Sequence, residues 1–165
     1  MSRVYSAMTI AKWIINKVHP EPLKLQKLLY LAQGYSYAFY DEPLFNDEIE
    51  GWVHGPVVRS VYNKYKDYQY NPIKENYNVS KLDKEAEEVL NYVINNFAQY
   101  DSKTLENISH NQEPWINSRK GLDPDERSDK TISKSDIANY FTNEIYQPGE
   151  EEWEWGVEKY GHIMQ

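Results

Sequence analysis

Four histidines are present, and two of them stand where a side chain could do chemistry. His110 and Glu113 are three positions apart; on one helical face an imidazole and a carboxylate at that spacing can share a ligand. With His54 they would form the reacting set of a hydrolase-type enzyme. Pro114 weakens this pairing, because it disfavours helical geometry at Glu113, and only two further histidines remain to complete a metal shell. A buried His110, hydrogen-bonded to backbone and packed near Trp115, is the simpler expectation. The chain has no Gly-rich phosphate loop, nucleophile elbow or HExxH, and its lack of cysteine removes thiolate chemistry and disulfides. No catalytic residue, metal or cofactor is therefore assigned.

Recognition has more material to work with. Five tryptophans and fifteen tyrosines are many for 165 residues, and aromatics with one polar end serve both small cores and protein interfaces. The formal net charge of -8 gives no general attraction to phosphate backbones, so direct nucleic-acid binding is disfavoured. No stretch approaches the roughly 20 apolar residues of a membrane span, and the expected location is the cytoplasm.

The elements that would position these residues are mostly helical. Residues 23–40 repeat Leu25, Leu28, Leu29, Ala32, Tyr35, Ser36 and Phe39 at three- and four-residue spacing, with Tyr30, Leu31, Gly34 and Ala38 extending the apolar surface. This is the expected central helix, packed from more than one side. Residues 6–18 form a first helix with Ser6 as cap, 84–100 a clear amphipathic helix, and 135–145 another. Ser102 is placed as the cap of a short helix over 103–110, followed by a turn over 115–119. A short extended segment is expected near 48–53, after which Pro56 would start a helix over 57–66. The corner His54-Gly55-Pro56 either presents backbone to a partner or is simply a sharp turn. Residues 1–145 are thus one mainly α, compact helical bundle. Residues 146–165 are an acidic, aromatic tail, either pinned back by Trp153 and Trp155 or docked on a basic partner.

Several of these residues carry a resemblance. Lys24-Leu25-Gln26-Lys27-Leu28-Leu29-Tyr30, Leu44-Phe45, Ile49-Glu50-Gly51-Trp52-Val53-His54-Gly55-Pro56-Val57-Val58 and Val61-Tyr62 resemble the signature of the Panacea domain, also called SocA-like or GepA-like. Leu105, Ile108-Ser109-His110, Trp115 and the helix ending at Phe141 resemble its C-terminal half, so the likeness spans roughly residues 5–142.

The resemblance implies an antitoxin that binds a cognate toxin encoded by an adjacent gene, and does so without covalent chemistry. A SocA-like member acts instead as an adaptor handing its toxin to a protease, so delivery is the alternative to sequestration. The acidic balance suits a toxin with a basic surface. The partner-binding surface is placed on Lys24, Lys27 and Tyr30 of the central helix with Trp52, His54, Gly55, Pro56 and Trp115, and the tail's Trp153 and Trp155 form a second candidate surface.

Overall fold

The computed structural model describes residues 4–145. Among them are seven α-helices and one small antiparallel sheet: α1 (Ala7–Val18), α2 (Pro22–Tyr40), β1 (Glu50–Trp52), β2 (Gly55–Val57), α3 (Arg59–Tyr65) running into a 3-10 turn (Lys66–Tyr68), α4 (Lys84–Phe97), α5 (Ser102–His110), α6 (Glu113–Ser118) and α7 (Lys134–Ile145). The mainly helical class expected from periodicity is the one observed.

Local chemistry sets the helix ends. The Ser6 and Asp83 side chains accept from the Thr9 and Ala86 amides, satisfying first-turn donors of α1 and α4. Pro22 occupies the first turn of α2, where a missing N–H costs nothing, and His19 and Asp41 end α1 and α2 in the left-handed region at φ 47° and 56°. Several boundaries differ from expectation: α4 stops at Phe97 rather than at 100, and α6 spans Glu113–Ser118 rather than 115–119. Asp101, not Ser102, caps α5 by accepting from the Thr104 amide. Pro56 does not start a helix; it pairs with Gly51 on the edge strand β2, where its missing donor is tolerated, and α3 begins at Arg59.

α2 is the axis of the molecule, with α1, α3, α4, α5, α7 and β2 all packed on it. It is accordingly buried from Leu25 through Ser36 on every side, including Gln26, Lys27 and Gln33. α7 packs closely against Gly34, where a Cβ would stand 2.3 Å from the Phe141 ring. That contact feeds an aromatic cluster in which Tyr35 meets Phe141 at 5.1 Å and Tyr92 at 4.8 Å, both edge to face.

Buried glutamines on α2 tie down the chain that returns over it. Gln33 accepts from the Leu44 and Phe45 amides and donates to the Phe45 carbonyl at 2.7 Å. Gln26 accepts from the Val58 amide at 2.8 Å, which keeps Val58 extended at the entrance to α3. The hairpin β1–β2 is therefore hung directly on α2. Its outer side is completed by the chain before α7, as the Gly51 amide donates to Lys130 and the Ile132 amide to Ile49.

Candidate functional site

The hairpin presents two different surfaces, one on each side of its turn. On one side lies a groove of about 840 Å³ lined by Leu23, Trp52, His54, Val57, Arg59 and Tyr62, closed by the loop carrying Arg127 and Asp129. Trp52 alternates outward on the short strand and meets Tyr62 of α3 edge to face at 4.8 Å. Arg59 lies 5.3 Å from the Trp52 ring, and its guanidinium grips both oxygens of Glu50 at 2.8 and 3.1 Å. Trp52 also donates its indole N–H to Glu50 at 2.8 Å. The aromatic face is thus preset rather than free to swing.

Behind the hairpin, Trp115 of α6 donates its indole N–H to the Trp52 carbonyl at 2.8 Å. His110 stacks flat on the Trp115 ring at 3.9 Å. Arg119, 7 % exposed, donates to the Gly51 carbonyl and to the Asp123 and Glu126 carbonyls, so it ties the 119–126 loop to the same strand.

On the other side of the turn is a cluster of bases around one acid. Glu106 of α5 stands 3.4 Å from His54, 3.6 Å from Lys103 and 3.9 Å from His110. Lys27 lies beneath, its ammonium without a hydrogen-bond partner. Burial pushes Lys27 down to about 8, against the opposing pull of Glu106. Burial likewise lowers His110, with Glu106 opposing and Lys27, Lys103 and His54 adding to the shift; it is held largely neutral at pH 7. Gly55 permits this closeness. Its φ is +114°, and a Cβ there would stand 2.7 Å from the Lys27 Cε and 3.0 Å from the Ser109 hydroxyl.

The expected site residues are therefore divided. Trp52, His54 and Trp115 come together around the hairpin, with His54 exposed and the two tryptophans part-buried. Lys27 and Tyr30, expected on an accessible side of α2, are each 1 % exposed, and Gly55 and Pro56 are buried. They are buried because the hairpin and α5 cover that side; Tyr30 donates to Gln112 at 2.7 Å instead of facing outward. Lys24 donates to the Ala98 carbonyl at the end of α4. Trp153 and Trp155 lie outside the described residues.

The pairing of His110 with Glu113 does not form. The helix breaks at Asn111 and Gln112, Glu113 opens α6 with its side chain exposed, and the carboxylate near His110 is Glu106, one turn earlier on its own helix. His110 is only part-buried, not buried as expected; its Nε2 has no hydrogen-bond partner, and its ring is stacked on Trp115. Among the described residues no group of three His, Asp or Glu is placed to hold a metal ion, and no helix is long and apolar enough to cross a membrane. The residues missed were Glu106, Lys103 and Arg59. Lys103, Glu106 and His110 do share one helical face by their spacing, a signal that was present.

Neither curated proteins nor solved structures give a match to this chain. A family model described as antitoxin SocA-like, Panacea domain, matches residues 25–116, from the first turn of α2 into α6, while α1 and α7 fall outside the matched span. The motif residues that converge on the hairpin, Lys27, Trp52, His54, Gly55, His110 and Trp115, all lie within it, and the chain belongs to the SocA-like antitoxin, Panacea-domain family.

Proposed function

We propose that this chain is an antitoxin that neutralises a cognate toxin, encoded by an adjacent gene, by forming a direct protein–protein complex in which the hairpin groove is the docking surface. One observation carries this reading: Trp52, Tyr62 and Arg59 form a rigid, partly exposed aromatic and guanidinium patch lining a groove of about 840 Å³. Aromatic and arginine side chains held in place before binding lose little entropy on docking, which is why such residues dominate interface energetics. The formal charge of -8 favours a toxin whose contacting surface is basic, through steering and register. Neutralisation then needs no covalent step: the antitoxin covers the toxin's working surface or holds it in an inactive shape.

The test is co-expression with the protein encoded next door, followed by purification and a growth assay. Restored growth with a co-purifying complex is the expected result, and Trp52→Ala should weaken both while leaving the antitoxin folded. Rescue and complex formation that survive Trp52→Ala and Arg59→Ala together would move the docking surface elsewhere. Absence of any complex would remove the sequestration mechanism.

A further inference from the structure

The chain leading to α4 crosses the molecule as a strap. Residues 73–83 contain no helix or turn and run back along α1. Three places hold the strap. The Ile73 amide donates to the Pro20 carbonyl at 2.9 Å, and the Ile73 carbonyl pairs with the His19 ring. Asn16 brackets Tyr77, accepting from its amide at 2.7 Å and donating to its carbonyl at 2.8 Å, and the Asp83 amide donates to the Tyr5 hydroxyl. Ile73 and Tyr77 thus turn their main-chain groups toward α1. In a drawn-out chain these groups alternate sides, so those of residues 74, 76, 78 and 80 face away. All four residues are exposed, and among the described residues none of their amides or carbonyls has a hydrogen-bond partner. The strap therefore presents an unpaired edge.

Charge decides what such an edge can take. The chain carries a formal net charge of -8, yet the strap is bordered by bases. Lys74 and Lys81 belong to it, Lys12 lies 5.1 Å from the Tyr77 ring, and Lys64 lies 5.7 Å from the ring of Tyr65, whose hydroxyl donates to Tyr77. None of the four forms an ion pair among the described residues. The rings orient Lys12 and Lys64 without neutralising them. The acids of the strap are engaged elsewhere: Glu75 accepts from the Tyr68 hydroxyl, and Asp83 accepts from the Ala86 amide. Lysines along an edge repel a second copy of the same edge, whereas a segment bearing carboxylates meets the opposite sign. The overall negative charge counts against a polyphosphate. We infer that the strap is a docking edge for an extended, acidic segment of a partner protein, which adds as a strand beside residues 74–80 while its carboxylates meet Lys12, Lys64, Lys74 and Lys81. Main-chain bonds supply the affinity of such an addition, and the lysines supply its selectivity. α3 runs from the hairpin groove, at Arg59 and Tyr62, to the strap, at Tyr65, so the two surfaces are distinct.

The test uses the free, full-length chain, so its outcome does not depend on the toxin. Amide resonances are followed by NMR as a ten-residue peptide of alternating glutamate and valine is added. Saturable shifts centred on residues 74–80 are expected, with slowed hydrogen exchange at the 74, 76, 78 and 80 amides. Binding should weaken about tenfold or more as salt is raised to roughly 0.5 M. Lys74→Glu combined with Lys81→Glu, both at exposed positions outside the core, should weaken it by a similar factor and leave the rest of the spectrum unchanged. The same peptide N-methylated along its length keeps its charge and loses its main-chain donors, and it should not bind. Shifts scattered over lysines across the whole surface, or equal binding of the N-methylated peptide, would overturn strand addition. A lysine–valine peptide that binds as well as the glutamate one overturns the charge selection. Tighter binding of a ten-nucleotide single-stranded DNA would make a nucleic acid the occupant and overturn the proposal as well.

Discussion

Trp115 reaches across 63 positions of sequence to donate its indole N–H to the Trp52 carbonyl at 2.8 Å. The bond joins α6 to the strand that displays Trp52, and the same indole carries the stacked His110 ring on its face. The two tryptophans thus have different work: Trp115 holds the hairpin, whereas Trp52 faces the groove.

Trp115→Phe should separate these roles. The ring face that supports His110 is kept, while the Trp52 carbonyl loses its donor, at about 1–2 kcal/mol. Chemical denaturation should show that loss. Trp52→Ala should cost toxin binding a factor of about 30 or more, the loss expected of an interface hot spot, with a smaller stability loss because its side chain is only part-buried. A titration of toxin against each variant checks the split.

Gly55→Ala should be among the most damaging single substitutions in the chain. An alanine at φ +114° is strained by itself, and its Cβ would meet the Lys27 Cε at 2.7 Å. A loss of about 2–4 kcal/mol is expected in urea unfolding. The double variant Gly55→Ala, Lys27→Ala should recover the steric part of that loss and leave the backbone part, a coupling readable in a double-mutant cycle.

How much of this was readable beforehand depends on the range of the interaction. The Leu25, Leu28 and Leu29 stripe announced α2, because helical periodicity is local, and the tyrosine and glycine surface around it already pointed to packing from several sides. Periodicity also placed Lys27 and Tyr30 on a less apolar flank, and there it misled. Their burial depends on the hairpin and on Gln112, 82 positions away, and no local pattern encodes that. Pro56 illustrates the same limit: a proline suits a first helical turn and an edge strand alike, and the choice fell to Gln26, whose bond to the Val58 amide delays α3 until Arg59. At α5, two adjacent residues able to cap, Asp101 and Ser102, left the boundary ambiguous by one position.

The α2–α7 contact gives a test of packing that does not involve the groove. Gly34→Ala would place a methyl group 2.3 Å from the Phe141 ring, so that ring or α7 itself must shift. Helix propensity alone would favour alanine by about 1 kcal/mol. Overpacking should outweigh it and give a net loss of about 1–3 kcal/mol by thermal unfolding, together with a change in the near-ultraviolet dichroism of the Tyr35 cluster. Net stabilisation would mean that α7 is loosely held.

The pH dependence of stability should have a maximum in mildly alkaline solution, because two sets of groups act in opposite directions. Lys27 is lowered to about 8 in the folded protein, against 10.5 unfolded, so its burial is a full penalty below pH 8 and is relieved as pH rises from 8 toward 10.5. Over that window the unfolded chain binds the extra proton, and stability gains up to ~1.4 kcal/mol per pH unit. Tyrosines oppose this from pH 10 upward. Burial raises Tyr30, Tyr92 and Tyr140, the last to about 12, and a hydrogen bond to Glu88 raises Tyr40 to about 12. The stability these groups contribute is complete below pH 10 and is lost as pH climbs through their folded values, since the unfolded tyrosines ionise first. Urea midpoints measured from pH 7 to 11 should therefore rise and then fall. Lys27→Met should be more stable than the wild type at pH 7 by about 1–3 kcal/mol, because an apolar chain of similar length replaces an unanswered buried charge. That advantage should shrink steadily between pH 8 and 10 while the tyrosine-driven fall remains. A Lys27→Met variant less stable than the wild type at pH 7 would show that the ammonium is answered by a partner after all.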